Sequence, residues 1–292
     1  MIPTRTLTPD GLAVSAVGYG GMHLSITGRP DEAQAERVIH AALDAGVSLI
    51  DTADVYCLGD HDIGHNERLI AQAVSTWRGD RSAVLVATKG GLTRPGGRWE
   101  TNGRPKHLRA ACERSLKALN VEAIALYQLH APDDGVPLED SVGALERLRE
   151  EGKILRVGLS NVSVDEIELA TSITPVATVQ NRLNPFFREA LRDGVVDYCA
   201  GQRIGFLAYS PVGGGRLNLK LPAHPVVTAI ARSVGASPHA VVIAWVMSKA
   251  PNVIPIPSAR SEAHARDSVG AADLVLSADQ VAEIDGAEFS RA

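Results

Sequence analysis

Cysteine is scarce in this chain, and what there is does not pair. Cys57, Cys112 and Cys199 are odd in number and far apart, which argues against a disulfide framework and makes a reducing, cytoplasmic setting the expectation. No stretch of about 18 apolar residues occurs, so no membrane span is expected. Met1–Ala16 mixes Thr, Pro, Arg and Asp and holds no apolar run of signal-sequence type. Basic charge is not in excess: 29 Lys and Arg against 34 Asp and Glu give a net charge of −5. That argues against a nucleic-acid partner, which requires a basic face. No linker or low-complexity segment divides the chain. Its 292 residues, 45% apolar and 22% charged, suffice for a sizeable core and exclude disorder. One domain over residues 1–292 is therefore expected.

What the sequence does contain is a regular alternation. Short, mostly apolar runs of strand type lie at Ala16–Tyr19, Ser48–Asp51, Val84–Thr88, Ile124–Leu129, Arg156–Leu159, Thr178–Gln180, Gly205–Tyr209 and Val253–Ile256. Between them lie segments of helical period: Asp31–Ala45, Pro105–Leu119, Leu138–Glu151, Val164–Thr171, Glu189–Gly201, Val226–Val234, His239–Lys249, Glu262–Ala271 and Ser277–Asp285. Acidic residues open the first of these helices and Gly46 closes it. Pro105 and Ser237-Pro238 mark two other starts. Eight strands alternating with helices over about 250 residues is the arithmetic of an α/β (β/α)8 TIM barrel. An open doubly wound sheet is the rival, but Gly18-Tyr19-Gly20-Gly21 lacks the Gly-x-Gly-x-x-Gly spacing and no helix follows it directly. Thr4–Val14, centred on Pro9-Asp10-Gly11, reads as an N-terminal β-hairpin that would plug one end of the barrel.

In such a barrel the chemistry sits at the C-terminal ends of the strands. There the sequence places Asp51 and, shortly after, Tyr56; then Lys89, His130, Ser160-Asn161, Gln180 and Tyr209-Ser210-Pro211. Singly, Asp51 could cap a helix, Lys89 could be a solvated charge, and Tyr56 and His130 could be packing residues. Together, four reactive types on one rim define a specific chemistry. A phenol is a poor acid near neutrality. An ammonium beside it stabilises the phenolate and lowers that pKa, and a carboxylate holds the ammonium in place. An imidazole can orient a carbonyl oxygen. The set is a tuned general acid without an acyl-transfer nucleophile, so a cofactor must deliver the hydride.

These segments resemble the aldo-keto reductases over essentially the whole chain. The resemblance is carried by Leu49–Tyr56 (LIDTADVY), Ala87-Thr88-Lys89, Leu126–His130 (LYQLH), Gly152–Asn161 (GKILRVGLSN), Val179-Gln180-Asn181, Ala208–Pro211 (AYSP) and Ile254–Pro257 (IPIP). It implies reduction of an aldehyde or ketone with NADPH on a (β/α)8 barrel, with Asp51, Tyr56, Lys89 and His130 as the catalytic tetrad. Tyr56 would protonate the carbonyl oxygen, Lys89 held by Asp51 would lower its pKa, and His130 would position the carbonyl. Ser160, Asn161 and Gln180 match the groups that hold the nicotinamide carboxamide, and Tyr209 the ring that stacks on it. Ser210, Pro211 and the backbone of Val212–Gly214, with Gly213 at its centre, match the pyrophosphate contacts. Ser258 and Arg260 match the 2′-phosphate end, with Asp267 near the adenine amine; a guanidinium there favours NADP(H).

Departures from the family pattern bear on specificity. Cys57 stands where many members have glycine, and Ser258, His264, Asp267 and Ser268 stand where they often carry Gly, Gln, Glu and Asn. The segment after Pro211 is short, so easy cofactor exchange is expected. Met22, His23, Cys57 and Trp99 are candidate substrate contacts. The insert Gly90–Lys106, with Arg94, Arg98, Trp99, Arg104 and Lys106, reads either as a solvated loop or as a basic patch for an anionic carbonyl compound. His61 and His65 are four apart, but no third ligand is fixed by spacing and Gly64 does not suggest a helix, so a surface loop is expected and no metal site. The resemblance places a helix at Asn66–Ile70. Two other functions stay open: an NADPH-binding redox-sensing or regulatory subunit with little turnover, and a metal-dependent barrel hydrolase, which would need clustered ligands at strand ends. The carbonyl substrate and the oligomeric state are not legible.

Overall fold

In the computed structural model, which describes residues 2–292, the apolar runs become parallel strands in sequence order. They are β3 (Tyr19–Gly20), β4 (Leu49–Asp51), β5 (Leu85–Gly90), β8 (Leu126–Leu129), β9 (Val157–Ser160), β10 (Val176–Arg182), β11 (Gly205–Tyr209) and β12 (Val253–Ile256). Gly18 N donates to Pro255 O and Gly20 N to Pro257 O, both at 2.9 Å, and these bonds join the first strand to the last. The result is the expected (β/α)8 barrel. Two short antiparallel pairs complete the strands: β1 (Thr4–Thr6) with β2 (Ala13–Ser15), and β6 (Leu92–Thr93) with β7 (Glu100–Thr101).

Twelve α-helices lie among the described residues, half of them with a side-chain N-cap. They are α1 (Glu32–Asp44), α2 (His65–Thr76), α3 (Pro105–Leu119), α4 (Leu138–Glu150), α5 (Val164–Thr171), α6 (Glu189–Arg192), α7 (Val195–Gly201), α8 (Gly214–Leu217), α9 (Pro225–Val234), α10 (Pro238–Met247), α11 (Glu262–Gly270) and α12 (Ala278–Gly286). In α1, Asp31 caps Gln34 N, and Ala35, Val38, Ile39 and Ala42 form the buried stripe. Ser163 and Ser277 close capping boxes with Glu166 and Gln280. Two expectations are corrected. Glu189–Gly201 is not one helix: Gly194 turns the chain at φ +74° and separates α6 from α7. The segment around His61 is not simply a loop either, because α2 starts at His65, straight after Gly64 at φ +79°. No single helix among the described residues is long and apolar enough to cross a membrane.

Leu49, Ala87, Leu126, Ala177, Leu207, Ile254 and Ile256 fill the barrel interior, and Leu7 and Val14 of the β1–β2 hairpin join them from the N-terminal end. Leu7 is fully buried, which contributes about 2 kcal/mol. Gly205 is required beneath it, since a Cβ there would collide with the Leu7 carbonyl oxygen. Arg5 anchors the hairpin by donating to Met247 O and Ala250 O at 2.9 Å, and to Val253 O. With the N-terminal end filled by apolar side chains, polar groups gather at the other.

Candidate active site

Side chains on a strand alternate, so a residue two positions past an interior one points into the same barrel, one layer higher. Leu49 is followed in this way by Asp51, Ala87 by Lys89, Leu126 by Gln128 and then His130, and Leu207 by Tyr209. The layer above the aliphatic plug is therefore polar. Lys89 has no exposed surface, and its three donors are all used: Asp51 Oδ2 at 2.6 Å, Thr52 O at 2.9 Å and the Tyr56 hydroxyl oxygen at 3.0 Å. The second Asp51 oxygen accepts from Gln180 Nε2 at 2.7 Å and Gln128 Nε2 at 3.3 Å. The His130 ring stands edge-on to Tyr56, with centroids 5.6 Å apart, and its Nδ1 is buried without a protein partner.

Burial is the largest influence on His130, Lys89 and Tyr56. It drives His130 well below its ordinary value, and the Lys89 charge pushes the same way, so the imidazole is neutral. For Lys89 burial favours loss of the proton, but Asp51 and Tyr56 outweigh it and the net shift is upward. For Tyr56 burial raises the phenol above its usual value, and Lys89 offsets only part of this. Lys89 thus lowers the phenol's pKa as expected, while burial, which sequence spacing does not show, leaves the net shift upward.

A cleft of about 890 Å³ opens above this layer. Asp51, Tyr56, His130, Ser160, Asn161, Gln180, Tyr209, Ser210, Pro211, Ser258, Arg260 and Asp267 line it, as do Met22, His23 and Trp99. Asn161, at φ +61°, donates from Nδ2 to His130 O at 3.0 Å and accepts from the Tyr209 hydroxyl at 2.8 Å, tying three strand ends together. Ser258 Oγ donates to Gly20 O at 2.6 Å. Arg260 is exposed and its side chain reaches only His23 O and Thr27 O, at 3.4 Å. Asp267 accepts from Ser237 Oγ at 2.7 Å.

Three of the singled-out residues stay outside the cleft lining. Lys89 lies behind Asp51 and Tyr56. Gly213, at φ +94°, packs so closely on Phe186 and Leu217 that a Cβ would press on both, and the open positions are Gly214 and Gly215. Cys57 is fully buried with its Sγ toward Val55 O and Gly59 O, and burial pushes its thiol up to about 11, so it is not a pocket residue. Nor does the insert present its cations to the cleft. Arg94 is buried behind Trp99, and Arg98 pairs with Glu100 in solvent. Among the described residues no group of three His, Cys, Asp or Glu could hold a metal ion.

Sequence reasoning missed Gln128, although a polar residue inside an apolar run was the available signal. It also missed Arg182, whose guanidinium lies 5.5 Å from the Tyr209 ring centroid at the cleft wall.

A parallel barrel with a buried carboxylate–ammonium–phenol chain at its C-terminal rim defines a class of oxidoreductase, and the comparisons agree. The aldo/keto reductase family profile matches residues 16–288, and the chain belongs to that family. It is 32% identical over 287 residues to an uncharacterized oxidoreductase of Schizosaccharomyces pombe, covering 96% of this chain and 89% of that one. An aldo-keto reductase from Klebsiella pneumoniae in complex with NADPH superposes with a TM-score of 0.80 at 27% identity, over 97% of this chain and 95% of that one. The glycerol dehydrogenase of Gluconobacter oxydans superposes with a TM-score of 0.82 at 29% identity, over 97% and 94%.

Proposed function

We propose that the protein reduces an aldehyde or ketone to the alcohol with NADPH, Tyr56 giving the proton to the carbonyl oxygen. The observation that carries this reading is the chain Asp51–Lys89–Tyr56, at 2.6 Å and 3.0 Å, at the floor of the cleft. The cleft suits a dinucleotide. It runs from the Tyr209 ring past Gly214 and Gly215, where an added Cβ meets open space or only Ser210 Oγ, to Ser258 and Arg260. Tyr209, Ser160, Asn161 and Gln180 would hold the nicotinamide end, Ser210, Gly214 and Gly215 the pyrophosphate, and Ser258, Arg260 and His264 a 2′-phosphate, with Asp267 beside them. Bound there, the reduced cofactor supplies hydride to the carbonyl carbon.

The residues do the rest. The Tyr56 phenol, whose pKa burial only raises, is protonated at neutral pH, as a general acid must be. Lys89 donates to the phenolic oxygen, which leaves the phenol's own proton free for the carbonyl oxygen. After transfer the same hydrogen bond holds the phenolate, and Asp51 keeps the ammonium charged. Neutral His130 orients the carbonyl without adding a second positive charge beside Lys89.

The test is Tyr56→Phe, with oxidation of NADPH followed over a panel of aldehydes and ketones. A loss of about 100-fold or more in kcat is expected, with NADPH affinity nearly unchanged. Comparable turnover in the variant would overturn the role of Tyr56. Tight NADPH binding by the unaltered protein, with no turnover across the panel, would favour a sensing subunit instead.

A further inference from the structure

Resting on that reading, we propose that Arg94 is a positioning residue that sets substrate preference. It holds Trp99 as a flat wall at the substrate end of the cleft, which favours carbonyl compounds that carry an aromatic ring.

The hairpin after β5 carries this wall. Its tip turns through Gly96 and Gly97, at φ +56° and +81°, conformations that glycine adopts freely. Trp99, just beyond, is 46% exposed, yet it lines the cleft and stands edge-on to Tyr56 with centroids 6.3 Å apart. A large half-exposed ring on a short hairpin needs an anchor to act as a wall.

Arg94 is that anchor. It is only 5% exposed, and its guanidinium carbon lies 3.7 Å from the Trp99 ring centroid, a close cation–π stack on one face. Its Nη2 donates to Cys57 O at 3.1 Å, on the residue directly after Tyr56. One planar group therefore ties the wall to the loop that carries the proton donor. The other two nitrogens, Nε and Nη1, are buried without protein partners. Arg94 lines a side cavity of about 310 Å³ with Asp54, Asp60, His107 and Arg114. Leu92 belongs to both the side cavity and the cleft and separates them. Arg94 itself lines the side cavity and not the cleft, so what it delivers to the cleft is the position of an apolar ring. The exposed part of Trp99, with Leu92 and Met22, offers a flat apolar surface near Tyr56.

The test is a double-mutant cycle of Arg94→Met and Trp99→Ala, read as the ratio of kcat/KM for benzaldehyde to that for propanal. Arg94→Met is expected to lower the ratio about tenfold, mostly through KM, within the range of a desolvated cation–π contact. It should lower the ratio no further in the Trp99→Ala background. An unchanged ratio, or a loss that persists without Trp99, would overturn the proposal. If Arg94→Met does not fold, Arg94→Lys keeps the charge and loses the planar stack. It is then expected to lower the ratio roughly threefold, and no change would overturn the proposal. Hydrogen exchange on the cofactor-free protein gives a second readout: amides of residues 92–101 should exchange faster in the Arg94 variant, and unchanged protection would count against it. Failure of the unaltered enzyme to reduce either aldehyde would instead overturn the carbonyl-reductase reading itself.

Discussion

Lys89 and Arg260 are two cations on one rim, held in opposite ways. Lys89 is fully buried and uses its three protons on fixed partners at 2.6–3.0 Å. Arg260 is exposed and its side chain hydrogen-bonds only backbone carbonyls, at 3.4 Å. The first is part of the fold, and its place is determined before any ligand arrives. The second keeps most of its donors free and gains a firm partner only from outside. At one end of the cleft the protein imposes geometry on the ligand; at the other the ligand completes the protein.

Lys89→Met should break this contrast most severely. It leaves Asp51 as an unpaired buried charge, so a loss of about 3–5 kcal/mol is expected in urea unfolding, alongside the loss of reduction. Adding Asp51→Asn should return part of the stability and none of the activity. A loss below about 1 kcal/mol would mean the pair is not built into the fold.

His130 tests the same buried layer through pH. Burial holds its folded-state pKa well below the ordinary value, and burial lowers His23, His65 and His107 in the same direction. The unfolded chain takes up protons below about pH 6.5 that the folded chain refuses. Stability from these groups is present above that pH and is lost as pH falls toward the folded values. His130→Gln should flatten the slope of stability against pH below 6.5, by up to about 1.4 kcal/mol per pH unit. An unchanged slope would show that His130 titrates normally.

Arg260→Ala should have the smallest effect on the fold, within about 0.5 kcal/mol. It should weaken NADPH binding roughly tenfold while NADH binding changes little, as loss of a charge-assisted contact predicts. Equal weakening of both cofactors would remove the distinction between the two ends of the cleft.

The same contrast governs what could be read from sequence. Strand ends were legible because interior apolar residues fix which neighbours face inward, so Asp51, Lys89, His130 and Tyr209 could be set on one rim before any coordinates. The plugging hairpin was legible from its turn residues. Less legible was whatever depends on the direction of a side chain in a loop. Cys57 and Arg94 follow the strand ends closely in sequence, yet both turn away from the cleft. The net rise of the Tyr56 pKa was hidden because burial is a property of the assembled barrel. The break at Gly194 was hidden because the apolar pattern continues across it and only φ reverses.

The Arg5 anchor also sets an order of events. Residues 4–6 leave the ribosome long before Met247, Ala250 and Val253, the partners of Arg5, which lie 242–248 positions further on. At roughly 5–20 residues per second the interval is about 12–50 s. Through it Leu7 has no seat, and the aliphatic lining at Leu49, Ala87 and Leu126 has no lid. The seam between Gly18 and Pro255 waits for the same late stretch. The hairpin is thus made long before its anchors, and one short length of chain near residue 250 closes the cylinder both along its side and across its base.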